Sequence, residues 1–446
     1  MLTEMWQGET LPAFSKISIY NTGTTMSNAS EIREHLYSLN TRGIKYDLDR
    51  IREAAHRCGN PQNFYKSFHV AGTNGKGSTC TYIESVLRAA GNKTGLYTSP
   101  HIVDFEERFL INGIPVTEDD WLDIYETQKP VIDDLKLTFF EATTLMAFEL
   151  FKRNGVNWAV FETGLGGRLD ATNIIVPQAA VVTGIAMDHT EYLGSTLLAI
   201  AHEKLGIVKP QCPLVFAESS NHAIVNLAER TCSEKNAPLH IVSAEDASEI
   251  DENCDGIAFT WKNERFQIPM RGKHQVTNAL LALNALQCAG FTDIAVQKKG
   301  LAGAFLPGRF QIVKQHGRTI VFDVGHNPDA ASVVVRTIRK VFNGKKVCIV
   351  TGIMKDKDTR GILEYYCSVA DHIICAKPST GRAASSDLLI EHCGKENAYK
   401  TETAKSVADA IKTALSRPED IVCITGSFYT VGEGFEALGL HPYAER

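Results

Sequence analysis

Short β-rich segments alternate with longer helical segments along most of the chain, and this alternation limits the possible folds more than any other feature. The first unit has a strand at 68–71, a glycine-rich turn, and a helix at about 78–90. Amphipathic helix patterns also cover 141–152 and 274–289. Since segments that alternate in this way build mainly parallel sheets covered by helices, the sequence predicts an α/β fold.

Strand patterns in the first two-thirds of the chain are of two kinds. Apolar runs typical of buried parallel strands lie at 159–162, 180–183 and 214–217. A more β-like patch covers 239–242, 256–261 and 265–268. This patch predicts an added hairpin or small sheet beside the main one.

A Gly/Ala/Pro-containing stretch at 300–308 divides the chain, and the alternation restarts after it. The later strand patterns lie at 319–323, 347–352, 372–376 and 421–425, with helix patterns at 329–339 and 404–416. A chain of 446 residues exceeds one ordinary core. We therefore predict a first domain at 26–305 and a doubly wound second domain at 306–446.

The first 25 residues lack a clear pattern, and Met26 begins a polar stretch before a helix-like segment at 31–39. We predict that residues 1–25 form a tail. The alternative is that Met26 is the true start, and the sequence leaves both open. Because the N-terminal segment carries Glu4 and Glu9 and has no apolar core, it differs from a secretory signal.

Composition narrows the class of protein further. The formal net charge of -6 argues mildly against nonspecific nucleic-acid binding, so no nucleic-acid partner is expected. The eleven cysteines are scattered without a CxxC pair, a pattern that indicates reduced thiols in a reducing compartment. No run of about 18 apolar residues is present, so we expect no membrane span and a cytoplasmic location.

A phosphate-binding loop is predicted at Gly72-Thr73-Asn74-Gly75-Lys76-Gly77-Ser78-Thr79, between a strand and a helix. Glycines let the backbone turn tightly so that its N–H groups point at phosphate oxygens. The helix N-terminus adds partial positive charge, Lys76 adds a full charge, and a following hydroxyl can support a metal ion. The string misses the generic GxxxxGK[ST] pattern, because Val70 occupies the first glycine position. A plain βα turn is the alternative, although such a turn would not need the lysine and the hydroxyls.

This loop closely resembles the nucleotide loop of the folylpolyglutamate synthases and dihydrofolate synthases, which belong to the Mur ligase superfamily. The resemblance continues through further motifs spread along the chain. They are Ser99-Pro100-His101, Glu107-Arg108-Phe109, Phe140-Glu141, the run 162–173, Asp188-His189-Thr190, Glu203-Lys204, Pro307-Gly308-Arg309, the run 323–328 and Asp356-Lys357-Asp358. The resemblance implies an N-terminal P-loop ATPase domain of the Mur-ligase type and a C-terminal Rossmann-like domain. We expect the protein to act as a monomer.

The resemblance also implies a ligase that uses ATP and Mg²⁺ to attach L-glutamate to dihydropteroate and to extend reduced folates. A carboxylate is a poor electrophile, so ATP would convert it to an acyl phosphate, which the amine of glutamate then attacks. Catalysis of this kind needs positioning and electrostatic stabilisation rather than a covalent nucleophile. A monofunctional folylpolyglutamate synthase remains an alternative.

Two further alternatives are less compatible with the sequence. A Mur-type ligase for cell-wall precursors would need a UDP-binding N-terminal domain, whereas only about 70 residues precede the phosphate loop. A nucleotide-binding switch without ligase activity would have less need of Glu162, His189 and Asp323 as a two-metal and nucleotide site.

By the same resemblance, ATP contacts extend beyond the loop to Asn278, Arg309 and Asp323. Arg309 could pair with phosphates in forked geometry, or it could form a linker salt bridge. Asp323 ends a predicted strand, where its carboxylate can accept from ribose hydroxyls, and His326 and Asn327 would face the cleft. Catalytic roles are expected for Lys76, Lys204 and His326.

Four residues match magnesium ligands of the family, namely Ser99, Glu162, His189 and Lys204. Glu162 ends a predicted strand, where ligands gather in open α/β sheets, and a surface carboxylate is the alternative. His189 could instead be a structural histidine. Lys204 could be a solvated helical lysine, or a carbamylated oxygen donor, which requires a neutral amine with a lowered pKa.

Two segments resemble the dihydropteroate-binding stretches of the bifunctional family members. They comprise Thr138, Phe139, Phe140 and Glu141, and then Leu169, Asp170 and Ala171. Either aromatic ring could stack on a flat pterin, with Thr138 and Glu141 offering polar contacts. Alternatively, both aromatic residues belong to the core at the start of a helix.

Overall fold

A computed structural model describes residues 25–43, 47–315 and 317–444, with side chains from residue 29 onward. The expected tail therefore lies outside the described residues except for Thr25, and neither proposed start of the protein is tested. Helix α1 (Thr25–Ser38) begins six residues before the predicted helix at 31–39.

The first part of the chain forms an eight-stranded mixed sheet in the order β4-β3-β2-β5-β1-β6-β7-β8. Its strands are β1 (Lys66–Ala71), β2 (Thr94–Tyr97), β3 (Phe109–Ile111), β4 (Ile114–Pro115), β5 (Trp158–Glu162), β6 (Ala179–Val182), β7 (Leu214–Ala217) and β8 (Leu239–Val242). From β2 to β8 in this order, all neighbouring strands are parallel. Strands β3 and β4 extend the sheet beyond β2 with antiparallel pairing. The predicted α/β class is confirmed.

Strand β1 lies in the middle of this sheet and is buried from Ser67 to Ala71. Helices cover the sheet on both faces, which explains why the strands are apolar runs rather than alternating patterns. These helices are α2 (Asp49–Arg57), α3 (Lys76–Ala89), α4 (Glu118–Asp134), α5 (Phe139–Arg153), α6 (Thr190–Leu193), α7 (Leu197–Leu205), α8 (His222–Glu234), α9 (His274–Cys288) and α10 (Ile294–Ala302).

The predicted small sheet is confirmed in part. Strands β10 (Gly256–Trp261) and β11 (Glu264–Ile268) form the expected hairpin, and β9 (Ser248–Asn253), which the sequence analysis missed, joins it. The assignment of 239–242 to this patch was wrong, because that segment is β8 and pairs in parallel with β7. His240 and Ile241 are exposed, as expected in a strand at the edge of a sheet. The segment therefore lacks the continuous apolar run by which the sequence analysis recognised buried parallel strands.

The later part of the chain forms a six-stranded sheet in the order β12-β13-β17-β14-β15-β16. Its strands are β12 (Gln311–Gln315), β13 (Arg318–Asp323), β14 (Val347–Thr351), β15 (His372–Ala376), β16 (Thr401–Ala404) and β17 (Ile421–Thr425). Its helices are α11 (Pro328–Val341), α12 (Thr359–Cys367), α13 (Ser386–Cys393), α14 (Val407–Ser416) and α15 (Phe428–Ala437). All pairings are parallel except that of β12 with β13. Strands β12 and β16 were not predicted.

One predicted helix boundary was wrong in detail, and the stretch between the two predicted domains is partly helical. The helix predicted at 404–416 begins only at Val407, because Ser406 accepts a hydrogen bond from the N–H of Asp409 and caps it. The stretch predicted at 300–308 as a linker begins inside α10. A Cβ on Gly300 would lie 2.4 Å from Val86 Cα, so this glycine allows α10 to pack closely against α3 rather than marking a flexible connection.

The carboxyl ends of the central strands of both sheets face one large cavity of about 1620 Å³, which we call the cleft. Residues after β1, β5 and β6 line it from one side, and residues after β13, β14 and β17 line it from the other. Open parallel sheets present loops and helix N-termini at this edge. Among the residues with a described position, no helix has both the length and the apolar character needed to cross a bilayer.

Candidate functional site

The glycine loop (residues 72–78) leads from β1 into α3 and lines the cleft. Gly75 is the N-cap of α3 with φ +87°, and a Cβ there would lie 2.4 Å from Asn278 Oδ1. A Cβ on Gly72 would collide with the Thr183 hydroxyl at 1.7 Å. Both positions therefore need glycine, for the left-handed turn and for close approach to β6 and α9.

Neighbouring segments hold the loop in place. The N–H of Thr73 donates to Gly184 O at 2.8 Å, and the Thr183 hydroxyl donates to Asn74 O at 2.6 Å. Lys76 Nζ donates to Thr73 O at 3.0 Å, so its ammonium group lies over the loop beside the N-terminus of α3. The loop thus combines a fixed backbone with two sources of positive charge, as an anion site requires.

Glu162 ends β5 and is only 4% exposed, which excludes the alternative of a surface carboxylate. Its Oε2 accepts from the N–H of Ser99 at 3.3 Å, which brings two of the expected metal ligands together. Burial raises the pKa of the Glu162 carboxyl, whereas Lys76 and Arg309 lower it. The group is therefore a buried oxygen donor among cations, a setting that suits a hard divalent ion.

Lys204 lies on α7 and is 4% exposed, so it is not a solvated helical lysine. Its Nζ donates to Gly72 O at 2.8 Å and thus contacts the glycine loop. Burial, together with the charge of Lys76, lowers the pKa of Lys204 to about 7. The amine is therefore partly neutral near pH 7, which carbamylation requires, although carbamylation itself stays a prediction.

Asp188 connects the two sides of the cleft. Its Oδ1 accepts from Lys357 Nζ at 2.7 Å, and its Oδ2 lies 3.8 Å from His326 Nε2 and 3.7 Å from His189 Nε2. Burial would raise the pKa of Asp188, but the interactions with His326, His189 and Lys357 hold it well below its usual range. The cluster lies where loops from the two sheets meet.

His189 has a left-handed backbone (φ 49°) at the start of the short helix α6. Burial lowers its pKa to about 4, with Asp188 opposing that change and nearby lysines adding to it. Its ring is therefore neutral at physiological pH, the state in which a histidine can bind a metal ion. Its role as a metal ligand stays a prediction.

On the second sheet, Asp323 ends β13 as predicted, and both of its oxygens accept backbone hydrogen bonds. Phe310 N donates to Oδ2 at 2.9 Å and Gly325 N donates to Oδ1 at 2.8 Å. Burial raises the pKa of Asp323, and Arg309 lowers it. A ribose contact would have to share these oxygens, each of which has a second lone pair.

Arg309 and Asn278 approach the glycine loop from the interdomain turn and from α9. The Arg309 guanidinium stacks on the Phe428 ring at 5.4 Å, and it forms no ion pair within the described parts of the chain, so the salt-bridge alternative is not supported. Asn278 Nδ2 donates to Gln275 Oε1 at 3.1 Å, and Gln275 Nε2 donates to Ser78 Oγ at 3.2 Å. This relay connects α9 to the first turn of α3.

The first predicted pterin segment has a structural role in addition to any binding role. Thr138 caps α5, and Glu141 completes a capping box by accepting from the N–H of Thr138 at 2.8 Å. Phe139 is buried and stacks on Tyr37, with ring centroids 5.7 Å apart, whereas Phe140 is half-buried at the cleft. Phe139 therefore belongs to the core, as the alternative expected, and it also borders the cleft.

The second predicted pterin segment also lines the cleft. Asp170 is buried and accepts from the backbone N–H groups of Leu165 and Thr172 at 2.9 and 3.0 Å. Burial raises the pKa of its carboxyl. Leu169 and Ala171 flank it at the cleft surface, so the two segments that are far apart in sequence meet on one wall.

Arg108 and Lys357 are among the charged residues that line the same cleft and that the site predictions omitted. Both belong to motifs noted in the sequence, yet nothing in those motifs shows that Arg108 is buried or that Lys357 reaches Asp188. Both facts depend on residues distant in the chain, 169 positions apart in the second case.

Asp104, Glu107 and His441 bring three further ligand-type atoms close together, outside the predicted metal set. Asp104 Oδ2 and His441 Nε2 lie 2.7 Å apart. The Glu107 oxygens already accept from the backbone N–H groups of residues 102 to 104, so this group is better explained as a cap on the short helix Phe105–Arg108.

Comparison with known proteins gives consistent matches along most of the chain. Residues 70–286 match the Mur ligase middle domain, and residues 308–428 match the Mur ligase glutamate ligase domain. The dihydrofolate synthase/folylpolyglutamate synthase of Escherichia coli (strain K12) is 37% identical over 412 residues, covering 91% of this chain and 94% of that protein.

Two solved structures have a similar fold. The Mycobacterium tuberculosis folylpolyglutamate synthase complexed with ADP and AMPPCP has a TM-score of 0.85 and 27% identity, covering 94% of this chain and 99% of that one. The E. coli FolC in complex with DHPP and ADP has a TM-score of 0.82 and 33% identity, covering 92% and 97%. These likenesses extend across both sheets.

Proposed function

Because this chain belongs to the dihydrofolate synthase/folylpolyglutamate synthase family of Mur ligases, we propose that it joins L-glutamate to dihydropteroate and extends folate polyglutamates with ATP. The observation that carries this proposal is the shared cleft. The glycine loop and the buried Glu162 face His326 and Lys357 across it, so a nucleotide and an acceptor acid could be held between the two sheets. A Mur-type ligase needs this arrangement, because phosphoryl donor, carboxylate and amine must meet in one place.

In the first step, an oxygen of the substrate carboxylate attacks the γ-phosphorus of ATP, and the bond to the β,γ-bridging oxygen breaks as ADP leaves. The backbone N–H groups of the glycine loop and the Lys76 ammonium group would bind the phosphates and offset their charge. Arg309, whose guanidinium lies close to Glu162 and the loop, would bind the same phosphates from the side of the interdomain turn.

In the second step, the amine of glutamate attacks the acyl carbonyl, phosphate leaves, and the amine gives up a proton. His326 is suited to receive that proton at Nε2. Its Nδ1 lies 3.0 Å from Val324 O and so carries the ring hydrogen as a donor, which leaves a lone pair on Nε2. Asp188, 3.8 Å from Nε2, would stabilise the resulting cation.

Magnesium fits the donors present at the first sheet's edge. Glu162 would supply a buried carboxylate oxygen, Ser99, whose backbone N–H donates to Glu162, would supply its hydroxyl, and His189 would supply a neutral ring nitrogen. Lys204 would join them only as a carbamate. When bound, the ion would neutralise charge on the transferred phosphoryl group.

On the pterin side, Phe140 and the segment Leu169–Ala171 would bind the substrate's flat ring system, with Thr138, Phe139 and Glu141 shaping the wall. We assign residues 26–305 to a P-loop ATP-binding domain and residues 306–446 to a Rossmann-like domain.

We also propose a monomeric, cytoplasmic enzyme. Light scattering on the purified protein would test the monomer, since a dimer would double the mass.

The central experiment supplies purified protein with ATP, Mg²⁺ and L-glutamate, together with either dihydropteroate or tetrahydrofolate. Mass spectrometry of the products is expected to show one added glutamyl residue in both cases, with one ADP released for each amide bond. Product from tetrahydrofolate alone would restrict the activity to extension. ADP release without any amide product would overturn the proposal and favour a nucleotide-binding switch.

A further inference from the structure

Arg108 is a buried cation without an acidic partner. The residue is 6% exposed and ends the short helix Phe105–Arg108 beside strand β3. Among the residues that the structure describes, no Asp or Glu forms an ion pair with its guanidinium, and burial lowers its pKa. Arginine nevertheless stays charged in proteins, so a buried and unpaired guanidinium is costly unless a ligand supplies the anion.

The neighbours of Arg108 are neutral. Its Nε donates to His101 Nδ1 at 2.9 Å, so this ring nitrogen acts as an acceptor and the imidazole is neutral. Its guanidinium lies 5.0 Å from the centre of the Phe139 ring. The hydroxyls of Tyr97, Tyr37 and, from the second domain, Tyr429 interact with its charge, and the hydroxyl of Tyr97 also accepts a hydrogen bond from the guanidinium. This setting leaves forked N–H donors that match a carboxylate.

The position of Arg108 connects it to the proposed reaction. It lines the cleft together with the glycine loop. His101, which accepts its hydrogen bond, follows Ser99 by two residues, and a chain of two residues spans at most about 7 Å. Ser99 in turn donates to Glu162. Arg108 therefore lies between the proposed pterin wall, through Phe139, and the place where the carboxylate is activated.

We propose that Arg108 binds the α-carboxylate of the glutamyl residue that a folate substrate already carries, and so positions the neighbouring γ-carboxylate for activation. This inference rests on the proposed function. It assigns Arg108 a role in the extension of folates but not in the ligation of glutamate to dihydropteroate. Dihydropteroate has one carboxylate, which is the group activated. A folate monoglutamate has a second one, which needs a cationic partner inside the cleft. Arg108 is thus a specificity-determining residue for extension.

The first test compares Arg108→Gln with the parent enzyme on both substrates. The KM for tetrahydrofolate is expected to rise about 10- to 100-fold, because a charge-assisted pair is lost, while the KM for dihydropteroate changes by less than about threefold. Arg33→Gln is the matched control, since Arg33 is a nearby arginine that already pairs with Glu106 and Glu118. Equal increases in both KM values would overturn the assignment.

The second test changes the ligand instead of the protein. A tetrahydropteroyl substrate with γ-aminobutyrate in place of glutamate keeps the reacting carboxylate and lacks only the α-carboxylate. The parent enzyme is expected to prefer the glutamyl substrate in KM, and Arg108→Gln is expected to lose this preference. A preference that survives in the variant contradicts the proposal.

Folding of the variants is checked by circular dichroism and thermal unfolding. If Arg108→Gln does not fold, the same pair of substrates is compared in Arg108→Lys, which keeps the charge without the fork, and the preference should fall several-fold. An unchanged preference would reject the role of the fork. If the parent enzyme forms no amide with either substrate, the proposed function fails. If it acts on both substrates and the Arg108 substitutions change neither KM, this inference alone is rejected.

Discussion

The carboxyl edges of the two sheets face the same cleft but differ in how their charged groups are held. On the first sheet, Glu162 and Lys204 are almost fully buried, and burial displaces their pKa values. On the second sheet, the His326 side chain is 28% exposed, and Lys357 reaches across to Asp188. The first edge therefore holds its charged groups in a buried setting, and the second edge places Lys357 across the cleft against the first.

Hydrogen bonds across the cleft support this contrast. Asn74 of the glycine loop donates to Asp329 at 2.8 Å and accepts from Asn327 at 3.1 Å, both at the start of α11. The two edges are thus joined through the loop itself. Changes on the first edge should impair chemistry directly, whereas changes on the second should first impair closure.

The largest effect is expected for Lys76→Ala, on the first edge. Loss of the cation that lies over the glycine loop should lower kcat/KM by about 10³-fold, since a fixed charge on the transferred phosphoryl group is removed. Coupled ATP-turnover assays measure this change. Lys66→Ala, at the exposed first residue of β1, is the control and should leave turnover intact. Full activity of Lys76→Ala would remove the distinction between the edges.

The second prediction concerns the pH dependence that Lys204 confers. Its pKa of about 7 means that the amine is mostly neutral above pH 7 and mostly charged below it. If the neutral amine is carbamylated, kcat should fall about tenfold per pH unit as pH decreases below 7, and bicarbonate should raise it.

The check measures kcat between pH 6 and 8 with and without bicarbonate, alongside intact-mass spectrometry. Lys204→Ala should be slow and indifferent to bicarbonate. If bicarbonate changes neither the mass nor the rate of the parent enzyme, Lys204 is not carbamylated.

A smaller effect is expected where the edges meet. Asp188→Asn removes the charge that pairs with Lys357, and both side chains are only 10% exposed. A hydrogen bond to a charged group contributes about 2 kcal/mol, so the closed arrangement should be weakened and the KM for glutamate should rise more than tenfold.

Small-angle scattering with and without nucleotide would report the closure, and the double variant with Lys357→Gln would separate the pair from other roles of Asp188. Arg382→Gln is the control, because Arg382 pairs with Asp356 on the surface. An Asp188→Asn protein that closes as readily as the parent would show that this pair does not hold the closed arrangement.

The smallest effect is expected for Thr138→Ala, which removes the N-cap of α5 on the first edge. The free energy of unfolding should fall by about 1 kcal/mol, as urea titration would show, and Thr138→Ser should restore it. A loss of dihydropteroate affinity in folded Thr138→Ala that Thr138→Ser restores would show that the hydroxyl also contacts the substrate. Unchanged stability would refute the capping role.

The sequence by itself determined features that depend on neighbouring residues. The strands at 214–217, 372–376 and 421–425 agree residue for residue with the structure, because strands buried on both faces are continuous apolar runs. The glycine loop is also local, since its glycines, lysine and hydroxyl follow one another between a strand and a helix.

Tertiary structure decided features that depend on residues distant along the chain. The segment 239–242 belongs to the main sheet because it pairs with β7. Gly300 is needed because its backbone packs closely against α3. Likewise, the burial of Lys204 and the pairing of Asp188 with Lys357 arise where separate segments meet. A residue's own type sets its ordinary pKa and hydrogen-bonding groups, but its solvent exposure and partners come from other parts of the chain.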